Sequence, residues 1–203
     1  MLRHFSVLCC VVVSVLCLAI VAQQHDIPPS PSVNQTVLIR PSENANTSCT
    51  GTVVAPQIVL TATHCLGDGA KAVFAELSTP AAHRNLRPKV IIGDFAMLSF
   101  EAMDTDKWTA IPVDLSSDAP RQGEPIWAVG LVDIDDKYVP VASYGLSLGQ
   151  TVTFKGLLYH VTSIPVIKGM SGGPVYHKGI IIGVYAIGLS SEISPWAGFA
   201  SPK

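Results

Sequence analysis

No stretch of this chain holds helical periodicity for three or four turns without meeting a glycine or a proline. Short β-branched and apolar runs separated by turn residues take its place. They are Thr36–Ile39, Gly51–Val54, Ile58–Thr61, Ala72–Leu77, Val90–Ile92, Phe95–Phe100, Ile126–Val129, Val139–Ser143, Thr151–Phe154, Leu157–Val161, Pro174–Tyr176 and Ile180–Ile187. β-Branched and aromatic side chains suit a pleated, half-buried surface, whereas glycine and proline interrupt it. Many short strands at regular spacing predict an all-β sandwich or barrel. Pro112 to Pro125, with Ser116, Ser117, Asp118, Pro120 and Gly123, reads as a segment crossing between two halves.

The N-terminus has a different character. Arg3 and His4 precede an apolar run from Phe5 to Val21, and Ala22-Gln23 follows. A basic start, an apolar middle and a small residue at the exit predict a secretory signal peptide over residues 1–22, cleaved after Ala22. The rival reading is an uncleaved anchor, because the run exceeds the usual ~7–15 residues and just reaches the ~17–25 of a membrane span. Residues 23–33 (QQHDIPPSPSV) read as an extended leader. No second run is long and apolar enough to span a bilayer, so the remainder is expected to be secreted, extracellular or periplasmic.

Charge excludes some partners. Charged residues make up 14% of the 203. Loss of Arg3 with the leader leaves 12 basic against 15 acidic residues, a net charge of −3. Such a surface offers no attraction to nucleic acid or to an anionic membrane, so contact with a membrane would come through the uncleaved anchor alone. Three of the five cysteines, Cys9, Cys10 and Cys17, belong to the leader. The remaining two, Cys49 and Cys65, are expected to form one disulfide in an oxidising compartment. Asn34-Gln35-Thr36 and Asn46-Thr47-Ser48 are glycosylation sequons.

The chemistry centres on Gly169-Met170-Ser171-Gly172-Gly173-Pro174. Glycines let backbone amides crowd in where a β-carbon would block them, so an oxyanion could be held there while Ser171 attacks a carbonyl. Alone, the segment also fits a plain surface turn or the GxSxG elbow of α/β-hydrolases. That elbow requires an acid and then a histidine after the serine, and only 32 residues follow Ser171. A general base is offered by His64, which the apolar run Ile58-Val59-Leu60-Thr61-Ala62-Thr63 delivers to a strand end beside Cys65. His83, His160 and His177 read as structural. The carboxylate that orients the base has three contenders. Asp94 opens the alternating run Phe95-Ala96-Met97-Leu98, while Asp104 and Asp106 lie in a polar loop. No His/Cys cluster or acidic loop has the spacing of a zinc or calcium site, and no cofactor is expected.

Cys49-Thr50-Gly51, Thr61-Ala62-Thr63-His64-Cys65, Asp94-Phe95-Ala96-Met97-Leu98 and Gly169-Met170-Ser171-Gly172-Gly173-Pro174 together resemble the trypsin/chymotrypsin-like serine peptidases. The resemblance implies two perpendicular six-stranded antiparallel β-barrels, over 34–115 and 116–203. It also implies a Cys49–Cys65 disulfide bracketing the histidine loop. By the same resemblance Ser171 is the nucleophile, His64 the acid/base and Asp94 its orienter, with the N–H groups of Gly169 and Ser171 as oxyanion hole. Pro165 would lie at the base of the specificity pocket, Lys168 near its mouth, and Ala186, Ile187, Gly188 and Gly198 along its walls. An uncharged floor with glycine walls favours an apolar P1 residue. Polypeptide substrates and a protein inhibitor are the implied partners of a monomer.

Met170 departs from the trypsin pattern, which places an acid there to bind the N-terminus freed on activation. Activation by that ion pair is not expected. The finish Gly198–Lys203 is similar to that of bacterial glutamyl endopeptidases and high-temperature-requirement proteases. A catalytically inactive homologue acting as a binding protein is the alternative of a different class.

Overall fold

In a computed structural model of the chain, residues 33, 35–40, 48–67, 73–76, 84–101, 108–116, 118–135, 137–186 and 196–201 are described. The signal peptide, the leader apart from Val33, both sequon asparagines, His83, Asp104, Asp106, Ile187 and Gly188 lie outside them. The described elements are strands, apart from a single turn of 3-10 helix at Thr63–Leu66.

The first lobe contains β1 (Thr36–Arg40), β2 (Cys49–Ala55), β3 (Ile58–Ala62), β4 (Val73–Glu76), β5 (Arg84–Asn85), β6 (Arg87–Ile92) and β7 (Phe95–Ser99). They form one sheet in the order β5-β4-β1-β2-β3-β7-β6. Its two edges, β5 and β6, are separated in the chain by Leu86 alone, which is buried. The edges are thus consecutive pieces of one bent strand, and the sheet wraps round on itself as six strands. Val37, Ile39, Val59, Leu60, Phe95 and Leu98 are almost wholly buried in its core. Each such side chain contributes about 1.5–3 kcal/mol by leaving water.

The second lobe is the expected six-stranded closed barrel. Its strands are β8 (Pro125–Ile134), β9 (Lys137–Phe154), β10 (Leu157–Pro165), β11 (Pro174–His177), β12 (Ile180–Ala186) and β13 (Trp196–Ala200). Their order round the barrel is β10-β13-β12-β11-β8-β9. The runs Val139–Ser143 and Thr151–Phe154 prove to be parts of one 18-residue strand, β9. Inside, Ile126, Ile164, Met170, Val175, Tyr185 and Phe199 pack as a core. A second cluster runs across both lobes, joining first-lobe residues such as Val59 and Phe95 to Val129, Tyr176 and Val184. Pro112–Asp114 lies along β12 through Ile181 N–H to Pro112 O (3.0 Å) and Asp114 N–H to Ile181 O (2.9 Å).

Candidate active site

Strand register decides where the first two groups meet. β3 pairs antiparallel with β7, placing Ala62 opposite Phe95. The chain leaving β3 enters the turn that holds His64, and the chain entering β7 comes from Asp94. The two turns are therefore neighbours by construction. Thr63 N–H donates to Asp94 O at 3.0 Å, and His64 N–H donates to Asp94 Oδ1 at 3.0 Å. The imidazole Nδ1 then lies 2.8 Å from Oδ2 and 2.9 Å from Oδ1. An ionised carboxylate only accepts, so Nδ1 is the donor in this contact. Asp94 is 5% exposed, while the His64 side chain keeps 30% of its surface open.

Tyr159, on β10 of the opposite lobe, also reaches this carboxylate. Its hydroxyl donates to Asp94 Oδ2 at 3.1 Å. Burial, with the adjacent Asp94 charge, pushes the phenol's titration well above its ordinary range.

The Ser171 loop is held from both lobes. Gly172 N–H donates to Tyr185 O and Tyr185 N–H to Gly173 O, each at 2.7 Å, which ties the loop to β12. Thr50 of β2 holds it from the other side. Thr50 N–H donates to Ser171 O at 2.7 Å, and its hydroxyl donates to Gly169 O at 2.7 Å while accepting from Leu131 N–H at 2.8 Å. Gly169 (φ 97°) and Gly172 (φ 83°) adopt the left-handed conformation that disfavours other residues. A β-carbon would strike Leu131 O at the first and Thr50 O and Thr61 Oγ1 at the second. Met170, between Gly169 and Ser171, points inward and is fully buried. Its side chain fills the space that Gly130 leaves open; a β-carbon on Gly130 would stand 2.8 Å from Met170 Cβ.

Cys49 and Cys65 are joined, with Cα atoms 5.8 Å apart, and the bond ties the start of β2 to the histidine turn. Their sulfurs and a ring nitrogen of His64 lie within 4.8 Å of one another, the one metal-like grouping among the described residues. The sulfurs are bonded to each other, so as it stands the group offers no thiolate to a metal.

His64 and Ser171 both line a cavity of 520 Å³, together with Val166, Ile167, Lys168, Gly169 and Tyr185. Among the residues that the family resemblance assigns to the specificity pocket, Lys168 is in this lining. Pro165 instead ends β10, exposed, with its carbonyl accepting from the Tyr185 hydroxyl at 2.8 Å. Ala186 pairs with Gly198 between β12 and β13, and the open side of Gly198 faces Tyr159. His160 stacks on Phe199 with ring centroids 5.0 Å apart, and His177 Nδ1 lies 3.1 Å from Pro125 O. Neither lines the cavity.

A family model described as a trypsin-like peptidase domain matches residues 49–184. Among solved structures, an inactive form of the Rv3671c protease is similar at a TM-score of 0.64 and 15% identity, covering 84% of each chain. The inactive form of a serine-to-alanine mutant of Rv3671c from M. tuberculosis H37Rv has a TM-score of 0.62 at 15% identity, covering 84% of this chain and 82% of that one. At such identity the likeness concerns the fold. Comparison with curated proteins gave no match.

Proposed function

We propose that this chain, which belongs to the trypsin-like peptidase family, is a secreted serine endopeptidase. Its nucleophile is Ser171, its acid/base His64 and its orienting acid Asp94. The observation that carries this reading is a single one: the wall of the Ser171 cavity holds a histidine whose Nδ1 is bound at 2.8 Å by a buried carboxylate. With Nδ1 protonated, Nε2 accepts the Ser171 proton as Oγ attacks the scissile carbonyl. The N–H groups of Gly169 and Ser171 receive the oxyanion, and imidazolium then protonates the departing amine. Water repeats the sequence on the acyl-enzyme and restores Ser171.

The cleft favours an apolar P1 side chain, set against Val166, Ile167 and Tyr185, with Lys168 as a cation at its edge. Met170 supports a site that assembles without proteolytic activation. It anchors the loop by burial, where an acid would need a freed N-terminus. Export would follow cleavage of residues 1–22, leaving barrels over 34–115 and 116–203 in a monomer that meets polypeptide substrates and a protein inhibitor. The test is cleavage of a peptide library by mature protein and by its Ser171→Ala variant. Hydrolysis after apolar residues, lost in the variant, is expected; equal hydrolysis by both would refute the assignment.

A further inference from the structure

Asp94 receives donors from two lobes. His64 supplies its backbone N–H and its imidazole Nδ1, and both come from the same turn of the first lobe. The third donor, the Tyr159 hydroxyl, belongs to β10 of the second lobe, 65 residues further along the chain. We propose that Tyr159 is a positioning residue for catalysis, its hydroxyl fixing Oδ2 of Asp94 so that the carboxylate stays aligned with His64. The proposal rests on the serine peptidase reading above.

Three features carry it. First, the carboxylate is almost fully buried, so water cannot freely replace a missing donor. Without Tyr159, Oδ2 would face the imidazole alone, and the carboxylate would be held only by the two donors of His64, both from one turn. Secondly, Tyr159 is itself 6% exposed, and its side chain is closely flanked where it leaves the strand. Gly198 of β13 lies beside it: a β-carbon there would stand 3.1 Å from Tyr159 Cβ and 3.8 Å from its Cγ. The space that Gly198 leaves open thus lies against Tyr159 Cβ. Thirdly, the contact mirrors the one made by Thr50. Thr50 of the first lobe holds the serine loop of the second, and Tyr159 of the second holds the acid of the first. Triad alignment then depends on how the lobes dock. Hydrogen bonds to charged groups are the stronger ones, and a positional error well below 1 Å matters to proton transfer.

The test compares the wild type with Tyr159→Phe, which keeps the ring and removes only the hydroxyl. We expect kcat to fall about tenfold with KM within twofold, since the hydroxyl acts on the reacting geometry and not on substrate. In an Asp94→Asn background the same change should cost less than twofold, because its route of action has gone. The proton NMR signal of His64 Nδ1–H should shift and exchange faster with water. Gly198→Ala, which presses on Tyr159 Cβ and so shifts the whole side chain, should lower kcat severalfold with KM within twofold. A Tyr159→Phe kcat within twofold of wild type with an unmoved Nδ1–H signal would overturn the proposal. An equal loss in both backgrounds would overturn it too, marking a purely structural tyrosine. If the Phe variant folds poorly, Gly198→Ala decides through the same two readouts. A wild type with no hydrolytic activity would sink the peptidase reading instead, and the NMR signal would still report on Tyr159.

Discussion

Replacing Asp94 by asparagine tests the site where its geometry is most demanding. The carboxylate accepts from His64 N–H on Oδ1 and from Nδ1 and the Tyr159 hydroxyl on Oδ2. Asparagine has one oxygen and one NH₂ to place there. With oxygen at the Oδ1 position, the backbone N–H is satisfied and the NH₂ faces Nδ1. Nδ1 must then accept, its proton moves to Nε2, and the imidazole can no longer take a proton from Ser171. With the amide reversed, Nδ1–H is satisfied but NH₂ confronts the His64 N–H. Two buried donors face to face cost about 1–3 kcal/mol. In either orientation the NH₂ meets one buried donor, the Tyr159 hydroxyl or the His64 N–H, and the charge that stabilises imidazolium is lost. Together these effects predict a fall in kcat of about 10³–10⁴-fold, with KM little changed. Because either arrangement sets one buried donor against the NH₂, at about 1–3 kcal/mol, Tm should fall by about 2–12 °C. Steady-state hydrolysis of a fluorogenic peptide and a calorimetric scan measure both. A kcat within tenfold of wild type, or a matching loss in Asp104→Asn, would refute the reasoning.

Other perturbations probe the support of the site. Met170→Asp would put a carboxylate into the second-lobe core at a fully buried position; an unpaired buried charge there should cost about 3–5 kcal/mol and lower Tm by about 10 °C or more. An unchanged Tm would show that the loop does not depend on Met170 burial. Changing Cys49 and Cys65 together to serine opens a link spanning 16 residues; the loss should be about 3 kcal/mol by urea denaturation, and a midpoint equal to wild type would contradict it. Burial pushes the Tyr185 hydroxyl up to about 12, against about 10 in an unfolded chain. Folding favours the neutral phenol, so this contribution is intact below pH 10 and lost as pH rises to about 12. Urea midpoints should fall across that window, and less steeply in Tyr185→Phe.

Local signals found the strands that carry the site. β3 and β7 are short, apolar and bounded by turn residues, and their ends deliver His64 and Asp94. β9 was harder to read because Gly145 and Gly149 resemble turn punctuation. Gly145 instead marks a close crossing, where a β-carbon would stand 2.6 Å from Ile164 N. β13 has a mixed, small-residue sequence and exists through its partners β10 and β12. The roles of Thr50 and Tyr159 were not legible, since they arise from contacts across 119 and 65 residues of chain. Nothing in the local pattern around either residue announces such a partner. Gly198 shows the same limit: a glycine's missing side chain is visible in sequence, but the neighbour it makes room for is not.

The most direct measurement is mass spectrometry of folded mature protein after treatment with a fluorophosphonate. Only a serine activated by its own base and oxyanion hole reacts quickly with such a reagent. One adduct is expected, on Ser171, formed in step with loss of peptide hydrolysis and absent from His64→Ala. No adduct on Ser171 in protein shown to be folded would contradict the serine peptidase reading.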